Sequence, residues 1–263
     1  MNNYKCVQYT KLIILLFLGF VLHGCASHKL CEKDSFCLEK ESYNTADIKN
    51  YPANFCSRKN GLLRGGAFDD VQAKTLLEVK GIKTIINLQR CDKYNPNFLN
   101  LCAPSFLPNK NDIAVLERIE IKKDLGNNNT INYYLLAPNN SELDPLNYEE
   151  DTDNKVAKFL AIVKKEQENG PIYVHCAAGE NRTGVMIAAY DVIINGIAPS
   201  DAIREFEFFD PAWKYLNEQY IKGLGSVKIE KIKNKMRKLD PQPTAFITCK
   251  IGNLCKVQEN IKP

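Results

Sequence analysis

The sequence predicts an α/β fold in which a central, mostly parallel sheet is flanked by helices. Short apolar runs alternate along the chain with segments whose apolar residues recur at helical spacing, and this alternation is typical of strands joined through helices. Two of the runs, residues 84–88 and 171–174, are apolar almost throughout, as is typical of strands covered on both faces. Cys176 follows the second run, at the strand end where such sheets bind ligands.

The first half of the fold begins with a strand over residues 62–66 and a helix over residues 69–80. Gly81 suits the left-handed conformation that ends many helices. The apolar face of this helix is predicted to consist of Val71, Leu76, Leu77 and Val79. The elements predicted next, in chain order, are a strand over 83–89, a loop over 90–113, a strand over 115–122 and a polar insertion over 123–150.

The second half is richer in helices. A helix over residues 153–168 precedes a short apolar strand over residues 171–176. Three helices are predicted after this strand, over residues 183–195, 200–209 and 213–238, the last of them broken near residues 223–225.

The junction between the strand at 171–176 and the next helix carries the clearest chemical signal. A cysteine at a strand end, a loop of small residues and a helix start together make an anion site, because backbone N–H groups and the helix dipole converge there. That field also favours the thiolate of Cys176. Arg182 lies six residues later and offers a planar fork that matches two phosphate oxygens. A phosphate-binding loop is thus predicted between a strand and a helix, with substrate-binding residues Ala177, Ala178, Gly179, Glu180, Asn181 and Arg182.

The pattern His-Cys-x5-Arg-Thr-Gly over residues 175–184 resembles the signature of the Cys-dependent phosphatases, the tyrosine and dual-specificity family. The competing interpretation is that Cys176 is a small core residue and Arg182 a solvated one. The number of agreeing positions disfavours it. Residues 61–88 also look like the opening of bacterial dual-specificity phosphatases, so the resemblance extends from about residue 60 to residue 223.

The resemblance implies a two-step hydrolysis of phosphomonoesters. Cys176 attacks phosphorus and forms a phosphocysteine, while Arg182 and the loop amides hold the equatorial oxygens. Thr183 donates to the sulfur and eases its departure in the second step. His175 and Gly184 are implied as structural support, and the resemblance implies neither a metal nor another cofactor.

This chemistry also needs a carboxylic acid that protonates the leaving oxygen. In the family it lies on a loop before the helix that precedes the cysteine strand. Asp144 is the leading candidate, because its separation of 32 residues from Cys176 resembles that of compact dual-specificity enzymes. Asp151 and Asp153 are equally well explained as acids that stabilise a helix start. Asp124 is a further alternative, which requires the insertion to fold back over the site.

Residues 1–25 are predicted to be a signal peptide. Two lysines precede an apolar stretch over residues 12–22 that is too short to cross a bilayer comfortably. Residues 22–25 then resemble a bacterial lipobox, although His23 departs from its usual pattern. We therefore expect a protein exported to the periplasm or cell envelope and tethered to the membrane through lipidated Cys25. A plain secretory signal and a membrane-anchored N-terminus are the alternatives.

The rest of the chain is predicted to comprise an N-terminal tether or flap over residues 26–58, a phosphatase catalytic domain over 59–240 and a cysteine-containing tail over 241–263. Export agrees with the content of 10 cysteines, because disulfides persist in oxidising compartments. Local disulfides are expected for the pairs Cys31/Cys37, Cys91/Cys102 and Cys249/Cys255. Cys56 is then left over, so at least one thiol stays free or pairs elsewhere. Zinc is disfavoured, because the chain has no Cys-x2-Cys and few histidines.

The charge of the chain limits its partners. The net charge is +4, and removing Lys5 and Lys11 with the signal leaves +2, which is far from the basic face that nucleic acid requires. The one basic run, residues 228–238, has apolar residues at helical spacing and is predicted to be a helix with a solvated lysine face.

The loop composition bears on the substrate. Phosphoinositide and inositol-polyphosphate phosphatases of the family carry lysines within the loop, whereas this loop has Glu180, which repels a polyanion. This favours a phosphorylated protein, carrying phosphotyrosine, phosphoserine or phosphothreonine, or a small phosphomonoester. The alternatives are a phosphoinositide or inositol phosphate phosphatase, a non-catalytic pseudophosphatase that binds phosphoprotein, and a Cys-based reductase or sulfurtransferase.

Overall fold

The computed structural model describes residues 39–40, 50–58, 60–89, 110–119, 129–136, 148–211, 214–249 and 255–260. The strands are β1 (Glu39–Lys40), β2 (Cys56–Ser57), β3 (Leu62–Gly65), β4 (Thr84–Asn87), β5 (Asn129–Leu135), β6 (Ile172–His175), β7 (Ala245–Cys249) and β8 (Lys256–Glu259). The helices are α1 (Asp70–Lys74), which continues as a π-helical turn (Thr75–Val79), α2 (Lys110–Arg118), α3 (Tyr148–Glu166), α4 (Asn181–Ile193), α5 (Pro199–Phe208), α6 (Lys214–Lys222) and α7 (Ser226–Arg237).

The strands form one mixed sheet in the order β1-β2-β3-β6-β4-β5-β7-β8. The four inner strands, β3, β6, β4 and β5, are parallel, and antiparallel pairs extend the sheet on both sides. Gly65, His175, Asn87 and Leu135 lie in register across the inner strands. Their carboxyl ends therefore meet at one edge, as the predicted α/β fold requires.

Helices cover both faces of the sheet. Alternate residues of β6 point to opposite sides, so that Val174 packs in the cluster with α3 and α4, whereas Tyr173 packs in the cluster with α1 and α2. β4 behaves in the same way, with Ile86 on the first side and Ile85 on the second. This explains why both strands are apolar almost throughout.

The helix predicted over residues 69–80 is present, but its predicted apolar face is wrong in part. Leu76 and Leu77 are buried, whereas Val71 and Val79 are exposed. Val71 lies too far around the helix from Leu76 to share its face. After Thr75 the chain widens into the π-helical turn, in which the Lys80 amide donates to the Thr75 carbonyl, and the wider turn rotates Val79 towards solvent.

The strand predicted over residues 115–122 is wrong, because residues up to Arg118 belong to α2. Ile113, Leu116 and Ile119 are buried at intervals of three residues, which buries one side of a helix and would not bury one face of a strand. The polar insertion predicted over 123–150 also contains structure, since β5 runs through its middle. β5 buries Tyr133 and Tyr134 on opposite faces of the sheet.

The segment predicted as a C-terminal tail adds β7 and β8 to the sheet. Buried and half-buried residues alternate along β7, and the Cys249–Cys255 disulfide links the two strands. This confirms one of the predicted local pairs. Cys56 is also disulfide-bonded, and the other two predicted pairs lie outside the described residues.

The signal peptide, the lipobox and most of the predicted flap lie outside the described residues. In the part of the chain that the structure describes, the helices are too short or too polar to span a bilayer.

Candidate active site

The predicted phosphate-binding loop lies at the carboxyl end of β6. Cys176 follows β6 directly, and the chain turns through a short loop before α4 begins at Asn181. Cys176 is buried, with 5% of its surface exposed, and it is a free thiol. A short loop therefore leads from the cysteine into the N-terminus of a helix of 13 residues, and this N-terminus carries positive potential.

Backbone contacts with the end of β3 shape this loop. Gly179 has a φ of +79°, and a Cβ at this position would lie 2.3 Å from the Gly65 carbonyl carbon and 2.7 Å from the Gly66 nitrogen. The Ala67 amide donates to the Ala177 carbonyl at 2.9 Å. Two glycine-rich segments, distant in sequence, thus pack backbone against backbone, which no side chain at Gly179 would permit.

Arg182 and Thr183 lie on the first turn of α4. Arg182 is half-buried, and its guanidinium donates a long bond of 3.4 Å to the Leu88 carbonyl, just after β4. The Thr183 hydroxyl is buried and has no hydrogen-bond partner among the described residues. Gly184 lies against the Phe206 ring, which would be 2.6 Å from a Cβ there, so the glycine lets α4 and α5 approach.

His175 supports the loop from below. Its Nδ1 lies 3.2 Å from the Cys176 carbonyl oxygen, and its Nε2 lies 2.9 Å from an Asp112 carboxylate oxygen. The two ring nitrogens thus lie against a backbone carbonyl and a buried carboxylate, which place the ring between the loop and α2. The ring also stacks on Tyr173, with centroids 5.6 Å apart, and meets the edge of Phe68.

Asp112 is a buried residue of α2 that sequence reasoning missed. Its Oδ2, which lies close to His175 Nε2, accepts hydrogen bonds from the Asn87 amide at 2.7 Å and the Tyr133 hydroxyl at 3.1 Å. Side chains from β4, β5 and β6 thus converge on one carboxylate oxygen. Because α2 was predicted as loop and strand, nothing local in the sequence indicated this contact.

Arg64 is a second buried residue beneath the loop whose role was missed. It is fully buried and donates from Nη2 to the Gly179 carbonyl at 2.7 Å, and its guanidinium lies 3.7 Å from the Phe209 ring centre. Burial lowers the pKa of Arg64 to about 10, against the stabilising charge of Glu205. The one available signal was a charged residue within an otherwise apolar strand.

Arg64 belongs to a larger buried ion network. Arg58 binds both oxygens of Asp191 at 2.7 Å and Glu205 Oε1 at 2.8 Å, while Arg64 lies 3.7 Å from Glu205. Burial raises the pKa of Glu205 to about 7, despite the two neighbouring arginines. The network connects β3, α4 and α5 behind the loop.

The structure constrains only some of the general-acid candidates. Asp144 and Asp124 lie outside the described residues, and Asp151 lies in the first turns of α3. Asp153 is buried, accepts from the Tyr220 hydroxyl at 3.0 Å and lies 3.5 Å from Lys228 Nζ. Asp153 is therefore occupied by packing contacts between α3, α6 and α7. In the described ranges, no group of three or more His, Cys, Asp or Glu residues could hold a metal ion.

Comparison with known proteins agrees with this geometry. Residues 129–216, which include the loop, match the family model of the Swiss Army Knife DSP-PTPase phosphatase domain (PTP-SAK). The dual specificity protein phosphatase TpbA of Pseudomonas aeruginosa is 24% identical over 152 residues, which cover 56% of this chain and 68% of TpbA. The dual specificity protein phosphatase OPG106 of vaccinia virus is 37% identical over 76 residues, covering 27% of this chain and 44% of OPG106.

Among solved structures, the core catalytic domain of the PP-IP phosphatase SIW14 from S. cerevisiae aligns with a TM-score of 0.48 at 21% identity, over 73% of this chain and 98% of that one. The family match and the curated relatives agree with the strand, loop and helix around Cys176. The chain therefore contains a phosphatase domain of the tyrosine and dual-specificity class.

Proposed function

We propose that this domain hydrolyses phosphotyrosine, phosphoserine or phosphothreonine in proteins, through a phosphocysteine formed on Cys176. The observation that carries the proposal is the position of the free Cys176 thiol at the end of β6, one short loop before the N-terminus of α4. Arg182, on the first turn of that helix, supplies the cation that a phosphate dianion needs. The presence of both groups argues against a non-catalytic pseudophosphatase, and loss of the general acid is what would favour one.

In the first step, the Cys176 thiolate attacks phosphorus. An S–P bond forms while the bond from phosphorus to the ester oxygen breaks, and a carboxylic acid donates the proton that the leaving oxygen needs. The guanidinium of Arg182 and the backbone amides of residues 177–182 hold the three remaining oxygens, whose charge they stabilise without reorganising.

In the second step, water attacks the phosphocysteine. The S–P bond breaks, a proton passes from water to the same carboxylate, and inorganic phosphate leaves. The Thr183 hydroxyl, which has no partner among the described residues, is available to donate to the departing sulfur. His175 lies one residue before Cys176 and braces the start of the loop through its contacts with the Cys176 carbonyl and Asp112.

The composition of the loop supports a singly phosphorylated substrate. Glu180 adds a negative charge beside the anion site, and the loop interior has no lysine to meet a second phosphate. Repulsion between like charges at short range disfavours phosphoinositides and inositol polyphosphates. Faster turnover of such a polyanion than of a phosphotyrosine peptide would favour the alternative function.

The test is hydrolysis of an aryl phosphate and of phosphotyrosine and phosphothreonine peptides by the purified chain. Cys176→Ser should abolish turnover while the chain still binds substrate, because a hydroxyl is a far weaker nucleophile. Arg182→Lys should also be nearly inactive, because an ammonium cannot replace the planar fork. Unchanged turnover by Cys176→Ser would refute the proposal.

We propose Asp144 as the general acid, with Asp151 and Asp124 as the alternatives. Asp144→Asn should slow alkyl phosphates by about 10²–10⁴-fold and nitrophenyl phosphates less, because a poor leaving group depends most on the proton. It should also remove the basic limb of the pH–rate profile. If Asp144→Asn keeps that limb while Asp151→Asn or Asp124→Asn loses it, the acid is the other residue.

We further propose that the chain is exported and tethered to the membrane through lipid on Cys25. The signal-like residues 1–25 and the disulfides of the described part support this, since such bonds persist outside the cytoplasm. The mature protein should fractionate with membranes, and Cys25→Ala should release it or leave it uncleaved. Recovery of the uncleaved chain from the cytoplasm would contradict the proposal.

A further inference from the structure

Asn54 lies before β2, outside the region that matches the family model, and contacts the phosphate-binding loop. Its side-chain nitrogen donates to the Ala178 carbonyl at 3.0 Å and to Glu180 Oε1 at 3.1 Å. Its backbone has a φ of +55°, which is uncommon for a residue other than glycine, although asparagine tolerates it better than most. Such strained residues concentrate where surrounding structure holds them for a function.

The chain on both sides of Asn54 is firmly anchored. The Ala53 carbonyl accepts from the Gly66 amide at 2.7 Å. Phe55 and Cys56 are buried, with 2% and 0% of their surface exposed, and Cys56 is disulfide-bonded. The backbone of Asn54 is therefore held by its neighbours and does not depend on the contact of its side chain with Glu180.

Glu180 occupies the position just before α4, where a side-chain oxygen commonly caps the free N–H groups of the helix. Its side chain makes no such bond, and one of its oxygens instead accepts from Asn54. The N–H groups that Glu180 would cap are those that bind a phosphate oxygen at a helix start. Asn54 thus holds the Glu180 carboxylate away from the N–H groups that a substrate phosphate would bind.

We infer that Asn54 is a specificity-determining residue, which holds the Glu180 carboxylate beside the anion site and so disfavours substrates with a second phosphate near the first. This inference rests on the proposed phosphatase function. A released Glu180 carboxylate would have two effects. It would compete with every substrate phosphate for the helix N-terminus. It would also no longer place a fixed negative charge at one side of the anion site.

The test compares the binding of two probes by calorimetry, a singly phosphorylated tyrosine peptide and an inositol bisphosphate with adjacent phosphates. Both are measured in the full chain carrying Cys176→Ser, so that turnover does not interfere. Adding Glu180→Gln should raise the affinity for the bisphosphate relative to the peptide by about 10-fold, the effect of one charge at short range in a partly solvated site. Glu168→Gln removes the same charge from an exposed turn before β6, at the opposite edge of the sheet, and should leave the ratio unchanged.

Asn54→Gly keeps the backbone conformation and removes the amide. It should weaken binding of the peptide, because the released Glu180 competes for the N–H groups, and the loss should be smaller when Glu180→Gln is also present. This coupling distinguishes a positioning role from a general loss of stability, which would be the same in both backgrounds. If Glu180→Gln leaves the affinity ratio unchanged, or if Asn54→Gly weakens peptide binding equally in both backgrounds, this inference is wrong while the proposed function stands. If the chain binds neither probe, the proposed function fails together with it.

Discussion

The close approach between Gly179 and β3 gives the sharpest prediction about the loop. In Gly179→Ala, the new Cβ would lie 2.3, 2.5 and 2.7 Å from three backbone atoms of Gly65 and Gly66. None of these atoms can move like the end of a flexible side chain. The methyl group can be accommodated only if the loop backbone shifts away from β3.

The size of the shift follows from the contact distances. Moving a carbon from 2.3 Å to an ordinary contact of about 3.4 Å displaces the loop by about 1 Å, and a misplacement of this size costs about 10²-fold in rate. Placing alanine at a φ of +79° adds a cost of about 1–2 kcal/mol in stability. We therefore expect kcat/KM for an aryl phosphate to fall about 100-fold in Gly179→Ala.

Gly196→Ala is the matched control, because Gly196 has a φ of +67° and open space around its Cβ position. It should show the conformational cost alone, as a loss of stability in urea unfolding with unchanged kcat/KM. If Gly179→Ala retained wild-type kcat/KM within about threefold and lost no more stability than Gly196→Ala, the argument from loop displacement would be refuted.

Three further predictions concern the buried groups beneath the loop. Asp112→Asn should lower the free energy of unfolding by about 1–3 kcal/mol, because it removes a buried carboxylate that accepts hydrogen bonds from Asn87 and Tyr133, and urea unfolding measures this. Arg64→Lys should weaken binding of inorganic phosphate about 10-fold, because a lost charge-assisted bond to the Gly179 carbonyl is worth about 1.5–3 kcal/mol; calorimetry in the Cys176→Ser background would show it. Glu205, with a pKa raised from 4.5 to about 7, keeps its proton in the folded state between these pH values while the unfolded state loses it. Stability should therefore fall as pH rises through this window, and this contribution should be absent from Glu205→Gln; equal pH dependence in both proteins would contradict it.

The sequence predicted the part of the site that is contiguous in the chain. The strand, loop and helix from residue 172 to residue 193 lie within about two residues of their predicted bounds, because apolar runs and small loop residues determine them locally.

The segment around α2 shows the opposite case. Near Arg118 its polar and apolar residues alternate over a few positions, which suggested a strand, and only packing of Ile113 and Leu116 under the sheet selects the helix.

The supporting residues could not be predicted in this way, because each lies far from the loop in sequence. Asn54 and Arg64 bind loop residues 124 and 115 positions away, and Asp112 on α2 reaches His175 at the end of β6. A single sequence contains no local pattern for such pairs. The charge of Arg64 within an apolar strand marked an unusual position without indicating its partner.

The charges around Cys176 suggest why the site needs this support. Arg58 and Arg64 are matched by Asp191 and Glu205. Both guanidinium groups are engaged by these buried partners, so they fix the position of the loop without occupying its anion site. Arg182 differs, because its guanidinium makes a single hydrogen bond to the described residues, of 3.4 Å to the Leu88 carbonyl. With Arg58 and Arg64 engaged behind the loop and Glu180 held aside by Asn54, Arg182 and the helix N-terminus are left as the positive groups that an incoming phosphate meets.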